Sequence, residues 1–148
     1  MKKIILITFC WSFMNVANAE LTRDNSTQVI TDNDTKLQWE DDAANPVKKE
    51  HPDAVKHCAN LNFAGHADWR LPSFDELENL AKATKVKFPK KPILKSLPTF
   101  GGIFWTSETH MFGEPAATGV KFDNFDYGKR GEAIQRIEYS VRCVRSSK

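Results

Sequence analysis

The apolar positions of this chain change period along its length, and each change marks a different kind of element. From Ile4 to Val16 they run almost without interruption. Further on, Thr27-Gln28-Val29-Ile30-Thr31 reads as a strand, and Lys36-Leu37-Gln38-Trp39-Glu40 alternates polar with apolar. Between them, Asp32-Asn33-Asp34-Thr35 is turn chemistry, because Asp and Asn side chains bond their own backbone. The pattern predicts a β-hairpin with Leu37 and Trp39 on its inner face. A calcium loop is the other reading of that acidic turn, but the Gly and terminal Glu of such a loop are missing. Leu21 to Ser26 is polar and reads as an irregular lead-in, and Glu40 to Glu50 as a charged loop containing Pro46.

The period then becomes helical. Pro52 and Asp53 suit a first turn, and Ala54, Val55, Cys58 and Leu61 recur at helical spacing, which predicts a helix that turns Cys58 inward and ends at Gly65. After Gly65-His66-Ala67-Asp68-Trp69-Arg70-Leu71-Pro72, Ser73 is a good N-cap, and Glu76 three residues later completes a capping box. Phe74, Leu77, Leu80 and Ala81 form the apolar face of a second helix ending near Thr84, with Glu78 and Lys82 outside. From Lys82 to Lys95 the prolines prevent regular structure and predict a long loop. Leu97 to Gly102 and Asp123 to Gly128 read as turns. Ile103–Ser107, Ala116–Phe122 and Tyr139–Arg145 read as strands, and in the last of these Tyr139, Val141 and Cys143 share a face. Two strands, two helices and then several strands make an α+β fold with a mostly antiparallel sheet.

The N-terminus changes the picture. Met1-Lys2-Lys3, a short apolar run and Ala17-Asn18-Ala19 have the three parts of a secretory signal peptide, and the run is too short to span a bilayer. The expected organisation is a signal peptide over 1–19 and a single domain over 20–148, exported to the periplasm, cell surface or medium, with no membrane span in the mature form. The formal charge of the 148 residues is +2, and Lys2 and Lys3 account for all of it. Charge therefore argues neither for nor against a nucleic-acid partner, and export argues against one. Of the three cysteines, Cys10 falls in the signal peptide. In an exported chain the remaining pair, Cys58 and Cys143, reads first as a disulfide. They lack the paired spacings of a zinc site.

Several pieces, in order, carry a resemblance. They are the Leu-x-Trp hairpin, Cys58-Ala59-Asn60-Leu61, Gly65 through Pro72 with Glu76-Leu77, Phe104-Trp105-Thr106-Ser107, and Val141-Arg142-Cys143-Val144-Arg145. Together they resemble the family named for the C-terminal domain of the Legionella collagen-like adhesin. Asp68-Trp69-Arg70-Leu71-Pro72 is also similar to a motif of the wider C-type-lectin-like group, which includes formylglycine-generating enzymes. The resemblance implies a C-type-lectin-like fold, two helices against a compact sheet, with the N- and C-terminal strands close together. It also implies a Cys58–Cys143 bridge from the first helix to the last strand. The family's named member binds sulfated glycosaminoglycans and is trimeric through a collagen-like stalk and this domain. No collagen repeat occurs in this chain, so neither trimerisation nor avidity carries over, and the oligomeric state stays open.

Chemistry that would make an enzyme is sparse. His51, His57, His66 and His110 do not fall at metal-ligand spacings, and neither a Gly-x-Ser-x-Gly motif nor a phosphate loop occurs. His57 beside Cys58 would be a thiol–imidazole pair only if Cys58 were free. The formylglycine-generating activity needs a reactive cysteine pair, and both mature cysteines have a structural use. Glu114-Pro115-Ala116 has the first two residues of a lectin Glu-Pro-Asn motif, but Ala116 has no oxygen for calcium. No metal, cofactor or catalytic group is implied. The candidate binding residues are Lys82, Lys85, Lys87, Lys90, Lys91 and Lys95, which could meet sulfates or phosphates or could simply be a solvated loop. The aromatics Trp39, Trp69, Trp105 and Phe122 read as core, and Phe112, Phe125 and Tyr127 as surface. Arg70 reads as a structural hydrogen bond or ion pair near the second helix. The expected function is non-enzymatic, adhesin-like binding of an anionic glycan, with a surface protein as the other class of partner.

Overall fold

A computed structural model describes residues 20–42, 47–85, 93–96, 102–122 and 128–147, with the side chain of Phe112 excepted. The expected signal peptide, the turn at 123–127, most of the turn at 97–102 and the stretch 86–92 lie outside the described residues.

Two sheets carry the fold. The smaller one is built from β1 (Leu21–Asp24), β2 (Val29–Asp32), β3 (Leu37–Glu40) and β9 (Val144–Ser146), all antiparallel and in that spatial order. The expected hairpin is β2–β3, with Ile30 opposite Trp39 and both buried. β9 completes this sheet beside β3, so the N- and C-terminal strands of the described residues lie together as the resemblance implied. The expected lead-in at Leu21–Ser26 is in fact strand β1. As an edge strand it draws its order from backbone pairing to β2 and half-buries only Leu21 and Arg23, so it has no apolar pattern to read.

The larger sheet has the order β4-β8-β5-β6-β7, formed by β4 (Lys48–Lys49), β5 (Ile103–Phe112), β6 (Glu114–Lys121), β7 (Arg130–Ile134) and β8 (Tyr139–Ser140). Its pairings are antiparallel except the single parallel pair Phe104–Ser140. Here β4 replaces part of the expected charged loop, and β7 is a strand that the polar Arg130-Gly131-Glu132 did not advertise. Side chains alternate across β5, so Phe104 and Trp105 face opposite ways. Phe104 packs with Leu77 and Leu80 of α2 (Phe74–Thr84), and Trp105 with Ala54 and Cys58 of α1 (His51–Ala59). The two helices therefore cover opposite faces, and β6 is buried at five successive positions from Ala116 to Val120. Only glycine fits at position 119, because a Cβ there would lie 2.2 Å from Ile103 Cγ2 and 2.7 Å from the Phe104 carbonyl oxygen.

The helices correct two details. α1 ends at Ala59 with Asn60 as its C-cap, not at Gly65, whose φ of +77° serves the separate turn from Phe63 to His66. Val55 is 43 % exposed, since only a narrow stripe of this short helix is covered. α2 agrees with the sequence pattern to its last residue, and its capping box is complete in both directions.

Tyr139–Arg145 is not one strand. Tyr139 and Ser140 pair in the larger sheet, Val144 and Arg145 in the smaller, and the chain crosses between the sheets at 141–143. Tyr139, Val141 and Cys143 do pack into the same core cluster, so the face was read correctly although the element was not.

Candidate functional site

Four consecutive residues near the C-terminus hold the molecule's separate pieces together. Cys143 bridges to Cys58 on α1, with Cα atoms 5.5 Å apart and both side chains fully buried. Val144 and Arg70 exchange two backbone hydrogen bonds of 2.9 Å each. Arg145 Nε donates to Asp68 Oδ1 at 2.7 Å and Nη2 to Oδ2 at 3.1 Å, while Nη1 donates to Gln38 Oε1. Arg142 is 1 % exposed and donates through Nη1 to Asp41 Oδ1 at 2.9 Å and through Nη2 to the Ser96 carbonyl.

The motif at 68–72 is the receiving side of this staple. Trp69 is buried, and its Nε1 donates to the carbonyls of Phe63 and His66, at 3.2 and 3.1 Å. Arg70 reaches Glu76 with two bonds of 2.8 and 2.6 Å. Glu76 in turn accepts from the Ser73 N–H of the capping box. The hydrogen bonds to Glu76 hold the Arg70 guanidinium above its ordinary range, and the same bonds hold the Glu76 carboxyl below its own. Leu71 is buried, and the Pro72 carbonyl accepts from Ser107 N–H at 2.7 Å. Ser107 lies in the irregular part of β5, where pairing with β6 jumps between Trp105 and Thr109. From that bulge, Glu108 Oε1 also accepts the first N–H of α2, from Phe74, at 3.1 Å. The contacts of Trp69, Arg70, Leu71 and Pro72 thus tie this motif to α2, to β5 and to the Phe63–His66 turn.

Asp41 is the group that the sequence pattern did not reveal. It sits in an acidic run, yet its side chain is fully buried. Besides Arg142 it accepts Arg23 Nε at 2.8 Å and the N–H groups of Lys95 and Ser96. Burial pushes the Asp41 carboxyl up, but the Arg142 charge and the Lys95 and Ser96 N–H bonds outweigh it and hold the carboxyl below its usual range. No local signal marks Asp41, because its partners come from three distant stretches of chain.

That network bears on the lysine residues. Lys82 and Lys85 are exposed at the end of α2, and Lys95 is exposed at the start of the segment pinned by Asp41. Between them Leu94 is 2 % exposed and joins the main core. Lys82 Nζ also lies 2.7 Å from Glu78, an exposed helical pair that contributes little to stability. Lys87, Lys90 and Lys91 lie outside the described residues.

Among the described residues, no three His, Cys, Asp or Glu side chains converge as metal ligands, and no helix is long and apolar enough to cross a membrane. His57 has no thiol partner, since Cys58 is bridged. Burial, and then the charge of Lys49, pushes the His57 imidazole below its ordinary value. His51 is buried on the other side of α1, where its Nε2 donates to the Thr106 carbonyl at 2.8 Å and its ring stacks edge-on to Trp105.

The Cys58–Cys143 bridge, the Arg70–Val144 crossing and the capped second helix lie within a stretch that a family model covers. The model of the Lcl C-terminal domain matches residues 28–145. The chain belongs to the Lcl C-terminal domain family. A comparison with curated proteins gives no match. As an Lcl C-terminal domain, it fits an adhesin-like domain that meets an external partner. The matched stretch ends at Arg145, so it includes all four residues of the staple.

Proposed function

We propose that this is an exported, non-enzymatic adhesin-like domain that binds anionic glycans, sulfated chains above all, through the lysine-rich segment following α2. One observation carries the reading. Lys82, Lys85 and Lys95 are exposed on both sides of a basic stretch whose far end is fixed by the buried Asp41. A basic segment held at both ends loses less chain entropy on meeting a polyanion than a free tail would. Lysines act as point charges with no fixed fork, which suits sulfates spaced along a polymer better than one shaped anion. Membership of the Lcl C-terminal domain family supports the adhesin-like class, and the signal-like N-terminus supports export.

The test is binding of the protein to immobilised sulfated and neutral glycans at low and physiological salt. Affinity for sulfated chains should fall as salt screens the charges. Replacing Lys87, Lys90 and Lys91 with Ala should weaken binding with the unfolding temperature unchanged, and adding Lys82→Ala, Lys85→Ala and Lys95→Ala should weaken it further. Unaltered binding in the six-fold variant removes the segment from the mechanism. A salt-insensitive complex with one surface protein would replace the glycan reading with that of a protein-interaction module.

A further inference from the structure

A second feature has different chemistry. A cleft of about 550 Å³ opens between the Gly65–Asp68 turn and the ends of β3 and β9. That is within the ~300–1,000 Å³ of small-ligand clefts. Its side chains are polar except Ala67, and the Arg145–Asp68 ion pair contributes to its wall, with side-chain exposures of 5 % and 48 %. The pair neutralises itself, so the cleft offers hydrogen bonds without net charge. Arg145 uses one hydrogen on each terminal nitrogen for Asp68 and Gln38, which leaves one on each. Among the described residues, Gln38 Nε2 makes one long contact, of 3.4 Å, to Thr31 Oγ1. The exposed His66 ring stands on a turn whose backbone bonds Phe63 in both directions and whose carbonyl is held by Trp69. The Arg145, Asp68 and Gln38 groups and the backbone of His66 are therefore held before any ligand arrives, which reduces the entropy lost on binding.

Fixed donors and acceptors without net charge match a ligand that has both and carries no charge. An anion would meet the half-exposed Asp68 carboxylate. A cation would meet the Arg145 guanidinium. Adjacent hydroxyls of a sugar satisfy both kinds of group. We propose that this cleft binds an uncharged saccharide, as a site independent of the lysine segment.

The experiment uses backbone-amide NMR of the exported protein, titrated with glucose, mannose and N-acetylglucosamine trimers. At least one should shift the amides of Gln38, residues 65–68 and Arg145, with an affinity unchanged by high salt, since neutral hydrogen bonds are not screened. Ala67→Trp fills the cleft from an exposed position and should abolish those shifts. Gln38→Ala removes one polar partner and should weaken binding about five- to tenfold. The six-fold lysine variant should bind the neutral trimer as before. No shift at these amides with any of the three trimers, or shifts that persist in Ala67→Trp, overturns the proposal. Neither result bears on sulfated-chain binding, which the lysine variant tests separately.

Discussion

Replacing Asp41 with Ala should do more damage than any other single polar substitution here. The carboxylate is fully buried against Arg142, which is equally buried, and both also serve backbone groups. Removing one partner of such a pair leaves an uncompensated charge in the interior, at a cost of about 3–5 kcal/mol. The N–H groups of Lys95 and Ser96 lose their acceptor as well. Set against a typical domain stability of ~5–15 kcal/mol, this is a large fraction. Urea unfolding followed by tryptophan fluorescence, with the disulfide intact, should show that loss, and the melting temperature should fall by roughly 10 °C or more. Hydrogen exchange adds a local readout, because the amides of Lys95 and Ser96 should lose protection before the rest of the core does. Asp41→Asn keeps an oxygen acceptor and should fall between wild type and Ala. The Asp41 pKa is depressed on folding, so its contribution is present above the unfolded value of about 3.9 and is lost as pH falls through the folded one. The wild type should therefore lose stability on acidification over that range, and Asp41→Asn should show a flatter acid limb. A loss below about 1 kcal/mol in Asp41→Ala, with Lys95 and Ser96 still protected, would refute the assignment of Asp41 as the anchor of this segment.

Three further outcomes are expected. Replacing both Cys58 and Cys143 with Ser should cost about 4–5 kcal/mol in the chain-entropy model, because the bridge spans 85 positions of sequence, and the protein freed of residues 1–19, with Cys10 among them, should titrate no free thiol. Ser73→Ala should cost about 1 kcal/mol in chemical denaturation by removing the acceptor of the Glu76 N–H, and a neutral result would mean that the Arg70–Glu76 pair and Glu108 hold the start of α2 without it. Mass spectrometry of the exported protein should find Glu20 as its first residue, and a retained 1–19 segment would refute the signal-peptide reading.

The α2 helix was legible because its signals are local. Ser73, Glu76 and the Leu77-Leu80-Ala81 stripe lie within one short window and act on each other. The β2–β3 hairpin was legible for the same reason, through an Asp/Asn turn between two apolar runs. The disulfide was legible because Cys58 and Cys143 are the two cysteines that remain outside the signal-like N-terminus. Of the candidate binding residues, the described ones, Lys82, Lys85 and Lys95, are exposed.

What the sequence alone determined, then, is whatever neighbours in the chain decide between themselves: capped helix, turn, strand period, inward face, and the residue types that make an α+β domain. Tertiary structure decided the rest. It split Tyr139–Arg145 between two sheets, although polar and apolar residues alternate from Tyr139 to Cys143. It made β1 and β7 strands through backbone pairing that polar side chains do not report. It also placed Asp41, Arg142 and Arg145 inside, where isolated charges are costly. The physical reason is that a charge or an edge strand is stabilised by its partner. Asp41 and Arg142 are 101 positions apart, and Asp68 and Arg145 are 77 apart, so no local window contains both members of either pair.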